Sequence, residues 1–216
     1  MQIRALDASD STIARRRAGL IGGMMGKGRL EAFSDGVIAI IITIMVLEFK
    51  KPDAVSPAAL IPLLPHVLIY ALSFVYVGIY WNNHHHMLHA ARSVTGGVLW
   101  ANLHLLFWLS LVPFVSGWMG EHYTAPVPVT LYGVVLFMCG VAFFILARLL
   151  VRHEGPDSVL GKALGRDGKA LGSVMAYAAA IVAAPFLPLV SQGLYVAVAL
   201  AWLIPDRRIE KAMDFG

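Results

Sequence analysis

The sequence predicts an all-α integral membrane protein with six transmembrane helices per subunit. Of its 216 residues, 58% are hydrophobic and only 14% are charged, and the mean hydropathy is +0.72. Because a soluble domain carries roughly 25% charged residues, this composition indicates an integral membrane protein. No catalytic nucleophile with a neighbouring base is evident, so we expect a protein that is not an enzyme.

Six apolar segments follow one another along the chain. The first has the roughly 20 residues that cross a bilayer core of about 30 Å, and the sixth is short before Pro205. Short polar links separate the segments. Pro113 and Pro185 are expected to kink the spans that contain them. The segments are predicted at about residues 30–49, 60–88, 98–117, 127–149, 170–188 and 191–205.

The basic residues predict the topology. With the amino terminus inside, 15 of the 17 Lys and Arg residues fall on the inner side, and only Lys50 and Lys51 fall outside. This is the bias that places positive loops in the cytoplasm. We therefore expect a multi-pass protein of the cell membrane with a cytoplasmic tail at 1–28, a membrane domain at 29–206 and a cytoplasmic tail at 207–216. The basic amino-terminal tail is expected to contact lipid headgroups, not nucleic acid.

The first apolar segment carries an acid near membrane depth. Asp35 precedes an apolar run, and such an intramembrane charge is a functional-site candidate by default. On a helix, Ile40, Thr43 or Ile44, and Leu47 share one stripe with Gly36. Periodicity alone favours a plain lipid-facing or packing helix, because lipid is as apolar as the stripe.

A polar collar lies at the inner end of this segment. Arg29, Ser34 and Asp35 cannot comfortably face hydrocarbon, so they should pair with other helices or line water. We expect Asp35 to pair with Arg29 or with a histidine of the second span.

Histidines are concentrated in the second span at positions 84, 85, 86 and 89. Successive helical residues point about 100° apart, so His84, His85 and His86 cannot converge on one ion. His85 or His86 shares a face with His89, and two ligands make a weak site. The alternative function is therefore a membrane metal-binding protein or enzyme built on the His84–His89 cluster. The favoured role is a polar network, in which titration near neutral pH modulates gating. We expect no bound metal or cofactor.

Three motifs resemble a known family. R-x-x-x-F-S-D, formed by Arg29, Phe33, Ser34 and Asp35 and followed by G-V-I-A-I-I-I-T-I-M-V-L-E, is similar to the signature of the transmembrane protein 175 potassium channels. W-N-N-H-H-H in the second span and N-L-H-L-L-F-W-L-S-L-V-P-F in the third extend the likeness over residues 29–114. These bacterial and lysosomal channels are unrelated to the usual tetrameric potassium channels.

The resemblance implies a four-fold homotetramer whose first helix lines a central pore. It places a hydrophobic constriction, or gate, at Ile40, with further pore-facing layers at Thr43 or Ile44 and at Leu47. It also implies a structural polar network at the inner end, with these members: Arg29, Phe33, Ser34, Asp35, Trp81, His84 and His85.

The function implied is a potassium-permeable cation channel in the lipid bilayer, which also passes protons in some relatives. The chain has no T-V-G-Y-G filter, so selectivity would come from the apolar constriction. The Thr43 hydroxyl either meets a partly dehydrated cation or bonds back to its own helix. Glu48 at the outer mouth either concentrates cations or pairs with Lys50 or Lys51.

Overall fold

A computed structural model describes residues 26–156, 158, 160–161 and 168–203. These residues form helices and connecting turns without a strand. Most of the predicted tails, with their basic residues, lies outside the described part of the chain. The helices are α1 (26–45), α2 (Leu64–Ala90), α3 (Gly96–Ser110), α4 (Val112–Glu121), α5 (Pro126–Glu154), α6 (Gly168–Ala183) and α7 (Pro188–Leu203). The 3-10 turns Val46–Glu48 and Pro57–Leu63 extend α1 and precede α2.

The helices make six apolar spans within the described residues. Leu111 alone separates α3 from α4, so these two helices form the third span with a break just before Pro113. A proline is tolerated there because the first turn of a helix needs no backbone donor. Four spans are long and apolar enough to cross a membrane: Gly26–Glu48, Pro57–Ala90, Gly96–Glu121 and Pro126–Glu154. The prediction of a multi-pass helical membrane protein is confirmed.

The last two helices are short within the described residues, and the boundary between them differs from the predicted one. Each has 16 residues, or about 24 Å of length, which is less than the hydrocarbon core. Pro188 was predicted to end the fifth segment, but it begins α7, where its missing N–H costs nothing. Pro185 lies in the link and kinks no span. The Ser191 hydroxyl donates to the Ala180 carbonyl at 2.7 Å and holds the two helices together.

Tyrosines tie α2, α5 and α7 together in the core. The Tyr76 hydroxyl donates to the backbone carbonyl of Tyr195 at 2.5 Å, and the Tyr195 hydroxyl donates to the Val129 carbonyl at 3.0 Å. Tyr132 and Ser73 hydroxyls lie 3.0 Å apart. All four hydroxyl-bearing side chains are buried. Because lipid offers no hydrogen bonds, satisfied hydroxyls of this kind specify how the helices pack.

One end of the bundle gathers positive charge and is closed by polar contacts. The Lys27 ammonium donates to the carbonyls of His89 (3.0 Å) and Ala91 (2.8 Å), which end α2. The Glu154 carboxylate accepts the backbone N–H of Arg92 at 2.8 Å. The start of α1, the end of α2 and the end of α5 therefore meet at this end, which we call the basic end. Its described Lys and Arg residues are Lys27, Arg29, Arg92, Arg148, Arg152 and Lys169.

Gly133 on α5 provides a test of this packing. A Cβ atom at Gly133 would lie only 2.8 Å from the Tyr195 ring carbon Cζ, so Gly133→Ala should lower the free energy of unfolding by about 1–3 kcal/mol through overpacking. Gly193→Ala on α7 is the control, since a Cβ there meets nothing within 4 Å. Thermal unfolding in detergent should show a lower Tm for Gly133→Ala only. Equal Tm values for the two variants would contradict the close α5–α7 contact.

Candidate functional site

The first helix has two distinct faces. One face is buried against the rest of the chain and comprises Leu30, Ser34, Ile38, Ile41 and Met45. The other face is open. Its large side chains have exposed fractions of 58% at Ile40, 41% at Ile44 and 77% at Leu47. The stripe for which the sequence predicts contact with ions is therefore the side of α1 that this subunit leaves uncovered.

Thr43 lies on the open face and bonds back to its own helix. Its Oγ1 donates toward the carbonyls of Ala39 (3.1 Å) and Ile40 (3.0 Å). A hydroxyl that donates its hydrogen bond to a backbone carbonyl keeps its oxygen lone pairs for another partner. The two predicted roles of Thr43 are thus compatible, because the back-bonded oxygen still presents an acceptor to a cation.

A buried chain of hydrogen bonds joins α1 to α3 and α2. The Ser34 hydroxyl donates to the Leu30 carbonyl at 2.8 Å and accepts from the Asn102 amide nitrogen at 2.9 Å. The Asn102 oxygen lies 2.7 Å from His84 Nε2. Since that oxygen can only accept, His84 Nε2 carries the proton and donates it. Ser34 and Asn102 are fully buried and His84 is 1% exposed.

Asn102 was missed as a site residue by sequence reasoning. The available signal was a lone amide within an apolar span, which is costly unless it is paired. Glu31 was missed as well: its Oε1 is buried and has no hydrogen-bond partner among the described residues.

Asp35 finds a different partner from the one predicted. Its Oδ1 accepts from Trp81 Nε1 at 3.0 Å, and Arg29 forms no ion pair within the described residues. Arg29 and Asp35 are six residues apart, so on one helix they point about 120° apart with a rise of about 9 Å. This spacing explains why Asp35 and Arg29 do not pair within one subunit. No described hydrogen bond joins Asp35 to a histidine either.

Two other predicted members of the network lie outside its buried part. Phe33 is 52% exposed on the open side of α1. His85 is exposed on α2, and its ring stacks at 6.0 Å between the rings of Trp81 and His89. The four-residue spacing of these three rings on one helix explains the stack.

Glu48 forms no ion pair with Lys50 or Lys51, both of which lie in the described part of the chain. Lys50 reaches across to Glu121 at the end of α4, with Nζ and Oε1 2.9 Å apart. The Glu48 side chain packs over Gly117, where an added Cβ would lie 3.2 Å from it. The missing side chain at Gly117 leaves room for Glu48.

The described residues hold no group of three or more His, Cys, Asp or Glu side chains able to bind a metal ion. His84 points to Asn102, whereas His85 and His89 stack on the exposed side of α2. His104 accepts from Trp108 Nε1 at 2.9 Å on its own helix. The second-span histidines are thus divided between a buried hydrogen bond and an exposed stack.

These features define a class of protein: a multi-pass helical membrane protein whose first helix is fixed by buried polar contacts and exposes an apolar stripe. The sequence profile of the endosomal/lysosomal potassium channel TMEM175 family matches residues 29–113. A potassium channel of Chryseobacterium sp. (strain P1-3) is 52% identical over 189 residues, covering 88% of this chain and 98% of that protein. The chain belongs to the TMEM175 family, as the motifs predict.

A solved structure and an animal relative extend the likeness. The crystal structure of a lysosomal potassium-selective channel TMEM175 homolog from Chamaesiphon minutus superposes with a TM-score of 0.72 at 26% identity, covering 82% of this chain and 96% of that chain. The endosomal/lysosomal proton channel TMEM175 of Bos taurus is 38% identical over 96 residues, which are 38% of this chain and 20% of that protein. The family and these relatives are named as ion channels, which confirms that the chain is not an enzyme.

The bridging role of Asn102 can be tested by Asn102→Leu. This change leaves the Ser34 hydroxyl and the His84 N–H without their partner, so we expect a loss of about 1–3 kcal/mol in the free energy of unfolding. Asn82→Leu removes an amide from an exposed position on α2 and is the control. Thermal unfolding in detergent should show a drop in Tm only for Asn102→Leu, and a Tm unchanged by that variant would contradict the bridge.

Proposed function

We propose that this protein is a potassium-permeable channel, formed by four copies of the chain around a pore lined by α1. One observation carries the proposal: α1 buries the face with Ser34, Ile38 and Met45 and leaves uncovered the face with Ile40 and Leu47. The potassium channels among its relatives support the choice of ion.

The oligomer follows from geometry. A single α1 cannot enclose a path for ions, so several subunits must present their open faces to a shared axis, and closed symmetry is the usual solution. Four copies are taken from the family resemblance. The competing arrangement, in which the stripe of Ile40, Ile44 and Leu47 faces lipid, predicts no dependence of conduction on these residues.

The ring of Ile40 side chains forms the gate in this proposal. An apolar constriction is poorly wetted, so it resists ion passage when narrow and conducts when it widens. One turn further along, the back-bonded Thr43 oxygens offer acceptors to a partly dehydrated cation. Selectivity then comes from the width and field of this short stretch, in place of a stack of backbone carbonyls.

The polar contacts at the inner end set the direction in which Ile40 points. Neighbouring helical residues differ by about 100° in direction, so turning α1 by one residue would carry Ile40 off the axis. The buried Ser34–Asn102–His84 chain and the Asp35–Trp81 bond oppose that rotation. In this proposal Asp35 positions the helix, and Ile40 meets the ion.

We place the basic end of the bundle in the cytoplasm. Six described Lys and Arg residues lie there, and Lys50 and Lys51 lie at the opposite end. The positive-inside bias then orients the protein with both termini in the cytoplasm. Cleavage of tags at either terminus by a protease added to intact and to opened spheroplasts would test this orientation.

Ile40→Asn tests the pore. The protein is reconstituted in potassium-loaded liposomes, and potassium efflux is followed with a protonophore that balances the charge. The wild-type protein should release potassium. Ile40→Asn should raise the flux several-fold and lower the preference for potassium over sodium. The reason is that a constriction lined by asparagine side chains is wetted more readily than one lined by isoleucine side chains.

The matched control is Ile145→Asn. Ile145 is an exposed isoleucine on α5, so the same change there should leave flux and selectivity as they are. The pore assignment fails if wild-type liposomes show no cation leak and Ile40→Asn does not alter this. It also fails if the two variants change the flux equally.

Proton permeation is measured in the same liposomes with a trapped pH dye and without the protonophore. We expect a proton flux through the same path, by analogy with the animal relatives that are named proton channels. Ile40→Asn should change it together with the potassium flux. A proton flux that Ile40→Asn leaves unaltered would assign protons to another route.

A further inference from the structure

A large cavity lies between α2, α5, α6 and α7, on residues that the channel proposal does not use. Its volume is about 550 Å³, within the roughly 300–1,000 Å³ typical of ligand sites. The wall is mainly apolar and aromatic, with Tyr80 on α2, Phe143 and Phe144 on α5, Tyr177 on α6 and Trp202 on α7. The interior of this site therefore suits a hydrocarbon chain.

The cavity is in the half of the bundle next to the basic end. Arg148, which contributes to the lining, is about two turns from the end of α5 at Glu154. Asn83 lines the cavity two turns from the end of α2 at Ala90. Trp202 and Ser173 close the site from the other side, with Trp202 Nε1 donating to Ser173 Oγ at 2.7 Å. An occupant of this space would have one end near the membrane surface.

Positive charge marks that end of the cavity. Arg148 is exposed, and its Cζ lies 4.8 Å from the centroid of the Phe144 ring. Within the described residues Arg148 forms no ion pair. Lys169 Nζ lies 6.0 Å from the Trp202 ring centroid. The rim thus holds a guanidinium and an ammonium above an apolar interior.

An acidic phospholipid has the matching chemistry. The guanidinium fork pairs with phosphate oxygens in a bidentate manner, and Arg is favoured for phosphate recognition for this reason. Basic pockets between transmembrane helices on the cytoplasmic side bind acidic headgroups. The surrounding bilayer supplies a molecule with both a hydrocarbon chain and a phosphate.

We propose that this cavity binds an acidic phospholipid, with one acyl chain between α2, α5 and α6 and the phosphate at Arg148. The lipid would fill the space between the helix pair α6–α7 and the rest of the bundle. It would thereby stabilise the two shortest of the six spans in the described part of the chain. This proposal rests on the cavity and its charges and is independent of the channel activity.

The test compares lipids and two arginines in the purified full-length protein. Thermal unfolding in detergent is followed during titration with phosphatidylglycerol, phosphatidylcholine or inorganic phosphate. A ligand that binds only the folded protein raises Tm, so phosphatidylglycerol should raise Tm at lower concentration than phosphatidylcholine, and inorganic phosphate should have no effect. Arg148→Gln should weaken the apparent affinity for phosphatidylglycerol about fivefold, the effect of one basic contact at an anionic surface.

Arg152→Gln is the matched control. Arg152 is exposed one turn further along α5, at the same end of the bundle, and is not part of the cavity lining. Arg152→Gln should bind phosphatidylglycerol as the wild type does if the site is specific. Arg148→Lys should recover part of the affinity that Arg148→Gln loses. Gly140→Leu fills the cavity from α5, where an added Cβ would make ordinary contact with Tyr80 Oη at 3.7 Å. This variant should weaken the binding of both lipids.

Three results would overturn the proposal. Equal shifts with the two lipids would show that no acidic headgroup is recognised, and equal losses in the Arg148 and Arg152 variants would show only general surface charge. A shift with inorganic phosphate alone would mean that the acyl chain plays no part. Native mass spectrometry of the same variants gives a second readout, in which Arg148→Gln should retain less phosphatidylglycerol than Arg152→Gln. None of these measurements uses ion flux, so they do not depend on the proposed channel function.

Discussion

The rest of the structure depends on the hydrogen bonding of a few polar groups that are shut away from water. In a bilayer each unpaired polar group costs several kcal/mol, and lipid offers no replacement partner. Ser34, Asn102 and His84 come from three different spans and satisfy one another. Because each has a fixed direction on its helix, pairing all three leaves few ways to arrange the first three spans. Apolar packing alone would not select one rotation of α1, since lipid is as apolar as the side chains it would replace.

The same constraint acts in two regions of the molecule, which have different structural roles. Around α1 the polar contacts fix a helix whose other face stays open. Farther away, the tyrosines hold α2, α5 and α7 together through bonds to backbone carbonyls. Between these ties and the basic end lies the cavity with Arg148 on its lining. The contacts that position α1 and the proposed lipid site therefore both involve α2 but use different side chains of it.

Much of the fold could be predicted from the sequence because hydrophobic length and the distribution of Lys and Arg obey strong physical rules. The six spans follow from them, and the motif around Phe33 to Asp35 identified the family. The predicted boundary between α6 and α7 was wrong because Pro188 can begin a helix as well as end one. The individual pairs were harder. A sequence shows that Asp35 and Asn102 need partners, but the choice of Trp81 and Ser34 depends on helix rotation and crossing, which apolar periodicity does not encode. The ion pair between Lys50 and Glu121 was not predicted for a similar reason, since it joins the ends of two spans that are distant in sequence.

The central claim is that the open face of α1 lines the path of the ion, and modification of an introduced thiol at Ile40 tests it most directly. Cys139 is the chain's single cysteine and is buried, so Ile40→Cys adds one reactive position. A charged, membrane-impermeant thiol reagent should modify it and abolish potassium flux in liposomes, while the same treatment of Ile145→Cys leaves the flux unchanged. Full modification of Ile40→Cys with undiminished potassium flux would contradict the account.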